Sequence, residues 1–157
     1  MYTTTREIGL ESEMLVKTIL NNIFSIKSEL QHPTKEYDLI TENGIKIEVK
    51  RATFDKSTTS WKVFFSEGKY KNGKEKYVGK YKKKNNSIHY KKSNRFYKDY
   101  TKSCDFIICH IQKLDIFYII PSKCQDGIGR FNLIPKSKIS KYDTYKNDWK
   151  QLTNKCL

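Results

Sequence analysis

The stretch YDLITENGIKIEVKRA, residues 37–52, constrains this chain more than any other part of it. Two short apolar runs flank Asn43-Gly44, a pair that favours a tight hairpin turn. Side chains on a strand alternate between faces. Ile45, Ile47 and Val49 therefore share one face, and Lys46, Glu48 and Lys50 share the other. Loop length decides what stands opposite them. A two-residue turn at Asn43-Gly44 pairs Asp38 with Val49 and sets an acid among apolar neighbours. A three-residue loop, Glu42-Asn43-Gly44, pairs Thr41 with Ile45, Leu39 with Ile47 and Asp38 with Glu48. Gly44 then occupies the third, left-handed place of a common three-residue hairpin. The apolar pattern selects this second register.

In that register Asp38 and Glu48 are cross-strand neighbours, roughly 5 Å apart at Cβ. Like charges so placed repel unless a cation lies between them, and hard carboxylate oxygens suit Mg²⁺ or Mn²⁺. A surface hairpin with a charged polar face has the same letters, so the pattern leaves both readings open. The bare acid-x-lysine pattern occurs three times, at Glu48/Lys50, Glu67/Lys69 and Asp148/Lys150. Only the first lies in an apolar alternating strand with an acid-bearing strand before it.

The 157 residues suit one domain with a core of modest size, given 37% apolar residues and a mean hydropathy of -0.75. No apolar run approaches the roughly 20 residues that span a bilayer. The N-terminus lacks the basic-then-apolar pattern of a signal peptide. The expectation is an intracellular protein with no membrane partner. Cys104, Cys109, Cys124 and Cys156 form no CxxC spacing and are expected as reduced thiols, with Cys109 in a strand; zinc held by Cys104, Cys109 and His110 is the competing reading.

Thr4 and Glu7 stand at capping-box spacing. Behind them Ile8, Leu15, Val16, Ile19, Leu20 and Ile23 recur with helical period, which predicts a helix over 5–22. Gly9 within it costs about 1 kcal/mol and suggests close backbone approach. Strands are expected at 37–41, 45–52, 61–65 and 130–135, with a short one at 23–27. The runs DFIICHI (105–111) and DIFYIIP (115–121) predict the best-buried hairpin. A helical turn is expected near 95–101 and a closing helix over 142–152 with Trp149 inward. The order of elements indicates an α/β or α+β layered structure.

Asp38, ten residues, then Glu48-Val49-Lys50 resembles the catalytic signature of the PD-(D/E)XK nuclease superfamily. Gly9, Glu13, Val16 and Leu20 resemble that superfamily's N-terminal helix, where glycine often precedes glutamate by four positions. The hairpin over 105–121 and the closing YKNDWKQL are similar to later elements of its compact members. Tyr37 stands where the signature has proline. Glu11 competes with Glu13 for the helix acid, and the glycine spacing favours Glu13.

The resemblance implies an α/β fold with a restriction-endonuclease-like core: an N-terminal helix followed by a mixed central β-sheet flanked by helices. It implies one domain over 1–157 with a basic insertion at about 66–94. It also implies an Mg²⁺-dependent endonuclease, with Mn²⁺ substituting. Asp38, Glu48 and the Val49 carbonyl would ligate the ion, and Glu13 would assist through water or a second ion. Lys50 would position the attacking water. The products would be 5′-phosphate and 3′-OH ends.

Net charge is +14, and residues 69–102 hold 13 Lys and Arg against Glu75 and Asp99. This zone implies a polyanionic partner, most simply DNA, duplex or branched. The expected contacts are Lys71, Lys74, Lys76, Lys80, Lys82, Lys83, Lys84, Lys91, Lys92 and Arg95, with interleaved tyrosines. A homing or restriction-like enzyme ranks first and a Holliday-junction resolvase second, either as a dimer or tetramer. A non-catalytic nucleic-acid-binding module is the alternative from a different class.

Overall fold

The amphipathic period of the N-terminal segment is realised as helix α1 (Thr5–Asn22) in a computed structural model of the chain. The structure describes residues 5–33, 35–71, 74–77, 89–92 and 95–153. Thr4, the expected helix cap, and Cys156 lie outside the described residues. So do Lys80, Lys82, Lys83 and Lys84.

Among the described residues twelve strands follow: β1 (Ser28–Leu30), β2 (Leu39–Thr41), β3 (Lys46–Arg51), β4 (Thr53–Asp55), β5 (Ser60–Phe64), β6 (Ser66–Lys71), β7 (Lys74–Tyr77), β8 (His89–Lys92), β9 (Arg95–Lys98), β10 (Phe106–Ile111), β11 (Ile116–Pro121) and β12 (Arg130–Leu133). A short helix, α2 (Lys150–Thr153), closes the described chain. The central sheet has the order β1-β2-β3-β10-β11. It is mixed: β3 and β10 run parallel and the other neighbours antiparallel.

Every residue of β10 is buried, because both faces of the central sheet are covered. One face packs Ile45, Ile47, Val49, Phe106 and Ile108 against Val16 and Leu20 of α1, with Trp149 and Leu152 buried in the same cluster. The other packs Ile107, Cys109, Ile111, Tyr118 and Ile120 against Val63, Phe65, Phe131 and Leu133. Those last four belong to, or directly follow, strands of a second sheet, β12-β5-β4. Burying a side chain such as Ile47, fully inaccessible here, is worth roughly 1.5–3 kcal/mol. A one-residue slip of β3 would exchange three such residues for Lys46, Glu48 and Lys50.

The expected sheet flanked by helices is corrected on one side. Among the described residues, that layer is the three-stranded sheet, because the alternating apolar residues of β5 and β12 need an apolar partner surface. Residues 23–27 are not a strand; β1 starts at Ser28. Residues 95–98 form a strand rather than a helical turn, and the only helix there is a 3₁₀ turn, Tyr100–Lys102. The closing helix is shorter than 142–152, although Trp149 is buried and stacks on Phe24 at 5.6 Å. The basic insertion is built on a four-stranded antiparallel sheet of order β7-β6-β9-β8. At Gly9 an added Cβ would meet nothing within 4 Å, so close approach is not what the glycine serves. No helix among the described residues is long and apolar enough to cross a membrane.

Candidate active site

The loop chemistry of residues 42–44 sets the position of the acids. Leu39 pairs with Ile47, the register that the three-residue loop requires. Thr41 and Ile45 close it: the Thr41 amide donates to the Ile45 carbonyl at 3.0 Å, and the Ile45 amide donates to Thr41 Oγ1 at 3.0 Å. Gly44 has φ +76°, the left-handed conformation that glycine adopts without Cβ strain.

Regular pairing ends one residue before Asp38. The Asp38 amide donates to the Ile47 carbonyl at 2.9 Å, and Asp38 Oδ2 accepts the Val49 amide at 2.8 Å. Asp38 therefore does not sit squarely opposite Glu48, as a continued ladder would place it. The reason is local: β2 has ended, and the Val49 N–H takes the carboxylate in place of a backbone carbonyl.

Glu48 and Lys50 lie on the face of β3 turned toward the second sheet, beside Ile107 and Cys109 of β10. Glu48 is buried and its Oε1 stands 2.7 Å from Lys50 Nζ. Asp38 is near enough to feel both. Burial pushes its carboxyl up to about 7; Glu48 and Glu13 add to the rise, while Lys50 and the Val49 N–H oppose it. Burial disfavours the Lys50 ammonium, but Glu48, Tyr100 and Asp38 overcome that and hold its pKa well above the ordinary lysine value. Glu13 on α1 is half-buried and acts on Asp38, whereas Glu11 is exposed. Helix geometry thus turns Glu13, not Glu11, toward the hairpin.

Three residues that the sequence pattern did not tie to Lys50 complete the surroundings, although Lys98 and Tyr100 fall in the basic zone it singled out. Tyr100 is buried with its ring centroid 5.2 Å from Lys50 Nζ and 4.5 Å from Lys98 Nζ. Lys98 is itself buried and donates to the Glu36 carbonyl at 2.6 Å. Gln125, fully inaccessible, accepts the Tyr100 amide at 3.0 Å and donates to the Lys98 carbonyl at 3.1 Å. No spacing rule links these residues to Lys50, because they come from segments 48 to 75 positions away in the chain. Each cation over an aromatic face is worth roughly 0.5–2 kcal/mol, so the ring fixes where the Lys50 ammonium rests.

The donor set suits a hard divalent cation: the carboxylates of Asp38, just before β2, and of Glu48 on β3, the former driven toward protonation by burial and by its acidic neighbours. Among the described residues, no three His, Cys, Asp or Glu side chains stand together as a complete cage. Backbone carbonyl and water oxygens would have to fill the remaining positions. The zinc reading fails on geometry. Cys109 faces the second sheet, while His110 faces α1, stacked on Phe117 at 4.3 Å with Nδ1 3.1 Å from Ser12 Oγ. Cys104, Cys109 and Cys124 are free thiols.

The expected DNA contacts Lys71, Lys74, Lys76, Lys91, Lys92 and Arg95 fall on strands β6–β9, whose backbone pairing is defined.

No protein-family model and no curated protein sequence matches the chain. Among solved structures, the fold is similar to that of a bacterial homing endonuclease, I-Ssp6803I, with a TM-score of 0.71 at 15% identity over 98% of this chain and 95% of that one. The likeness is one of fold, and it extends over nearly the whole of both chains.

Proposed function

We propose that this chain is a metal-dependent DNA endonuclease of the PD-(D/E)XK type. The observation that carries the reading is the gathering of Asp38, Glu48 and Lys50 around β3, the middle strand of the central sheet, with Lys50 Nζ 2.7 Å from Glu48. The fold similarity to a homing endonuclease supports a homing-type, site-specific enzyme ahead of a junction resolvase.

Asp38, Glu48 and the Val49 carbonyl would hold Mg²⁺ or Mn²⁺, with Glu13 contributing through water. When bound, the ion would polarise the scissile phosphate and make a coordinated water more acidic. The residues of the chain do the rest. Lys50, confined by Glu48 and the Tyr100 ring, sets a compact positive charge beside the phosphate, where negative charge grows during attack. Water oxygen bonds to phosphorus as the bond to the 3′ oxygen breaks. The water gives up one proton to solvent and the 3′ oxygen takes one from it, leaving a 5′-phosphate and a 3′-OH. Cationic side chains drawn from the basic zone over 69–102 hold the DNA backbone. Cutting both strands calls for two copies of the site, hence a homodimer or higher symmetric assembly.

The test is cleavage of a randomised duplex pool in Mg²⁺ or Mn²⁺, with 5′-phosphate ends read by sequencing. Asp38→Ala, Glu48→Ala and Lys50→Ala should each abolish cutting while duplex binding persists. A Glu48→Ala chain that cuts at the parent rate would remove the mechanism. Tight binding with no metal-dependent cutting by the parent chain would indicate a non-catalytic binding module.

A further inference from the structure

The strand pairing of the insertion brings together basic residues that are far apart in the sequence. Lys76 of β7 is paired with Lys69 of β6, Lys69 with Arg95 of β9, and Arg95 with Lys92 of β8. These four residues form one row across all four strands. Directly paired residues share a face of the sheet, and so do residues two apart on one strand. Lys71 and Lys74, paired with each other, therefore join the same face. The register makes four direct cation–cation pairings and sets no acid among them. Glu75 pairs with Tyr70 on the opposite face, and Glu67 falls at the irregularity between Ser66 and Gly68. The neighbouring row, on the opposite face, reads Tyr77, Gly68, Phe96 and Lys91, with one cation.

Like charges directly across a strand pair are destabilising. A sheet that repeats this four times on one face gains stability when a polyanion covers it. Tyr90 and Tyr97, paired with each other, flank the row on the same face. Four strands about 4.8 Å apart set the ends of the row roughly 14 Å apart. That length is about the axial rise of four phosphates along one strand of duplex DNA.

We infer that this face, with Lys69, Lys71, Lys74, Lys76, Lys92 and Arg95, is a docking platform for the phosphate backbone of duplex DNA. Lys91, expected from the sequence as a DNA contact, pairs with Phe96 on the opposite face and does not belong to it. The inference rests on the nuclease reading for its partner, but its residues are separate from Asp38, Glu48 and Lys50. It divides the basic zone into a binding face and an opposite face, the one to which Lys98 belongs by alternation. The Lys98 side chain runs to the Glu36 carbonyl and the Tyr100 ring.

The experiment is fluorescence anisotropy of a labelled duplex with the full chain in EDTA across a salt series. The double variant Lys69→Ala/Arg95→Ala should lose at least about tenfold in affinity, and its log–log salt slope should fall by about two, at roughly 0.9 per phosphate contact. Lys76→Ala and Lys92→Ala, on the outer strands, should each lower the slope by about one, and they keep the test alive if the double variant fails to fold. Lys91→Ala should stay within about twofold of the parent with its slope unchanged. Lys69→Arg, which keeps the charge, should bind as the parent does. Losses in Lys91→Ala equal to those in Lys92→Ala would overturn the assignment. So would tighter binding to a single strand than to the duplex. Because the readout needs no metal, loss of the nuclease mechanism would leave this result standing, and an unaffected double variant would sink the platform without touching the mechanism.

Discussion

Asp38 Oδ2 accepts the Val49 amide at 2.8 Å, so the carboxylate that would hold a cation is also the group that ends the β2–β3 pairing. One acid serves backbone satisfaction and chemistry together. It does so while half-buried and within the field of Glu48, which raises the cost of its charge.

That cost predicts a pH dependence of stability. The Asp38 carboxyl lies at about 7 in the fold, above the ordinary value of 3.8, so the folded chain holds its proton more tightly than the unfolded one. The stabilisation is therefore complete below about pH 4 and is lost as pH rises through about 7. Asp38→Asn removes the titration and leaves an oxygen that still accepts from Val49. Thermal melts should show the variant gaining on the parent between about pH 4 and pH 7. Mg²⁺ should raise the parent Tm at the higher pH and leave the variant unmoved. A parallel pH profile for the two chains would refute the raised carboxyl.

Tyr100 is predicted to act as a positioning residue through Lys50. Tyr100→Phe keeps the ring and should retain most cleavage. Tyr100→Leu removes the aromatic face under both lysines and should slow single-turnover cleavage about tenfold, or about 1.4 kcal/mol, with duplex affinity unchanged. If Phe loses as much as Leu, the hydroxyl rather than the ring is what matters.

The loop over 42–44 should be more sensitive in activity than in stability. One residue inserted beside Asn43 lets the apolar strands re-pair at modest cost, but it disturbs the meeting of Asp38 with Glu48. Cleavage should fall by more than about a hundredfold, roughly 2.7 kcal/mol of barrier, while Tm drops only a few degrees. Gly44→Ala, strained at φ +76°, should lose about 1 kcal/mol in urea titrations.

Gly9→Ala should stabilise the chain. The position is helical and a Cβ there meets open space, so the substitution should gain about 0.5–1 kcal/mol in denaturant unfolding. Activity should be kept; stability gained with activity lost would mean that a partner approaches the helix at this point.

The local grammar of the chain determined much by itself. The apolar period of α1, the alternation of Ile45, Ile47 and Val49, the turn residues 42–44 and the two runs that became β10 and β11 all agree with the fold, because each depends on contacts within a few residues. The choice of the three-residue loop followed from burying those three side chains, and it brought Asp38 and Glu48 near each other without any long-range information. Only the tertiary structure decided the rest. A second sheet covers the far face of β10 because β5 and β12, remote in sequence, present matching apolar surfaces. Tyr100 reaches Lys50 through that packing, with Lys98 and Gln125 held against Tyr100. The lysine-rich insertion spelled charge but not arrangement: strand register, which no local pattern specifies in a polar segment, collected Lys76, Lys69, Arg95 and Lys92 into one row.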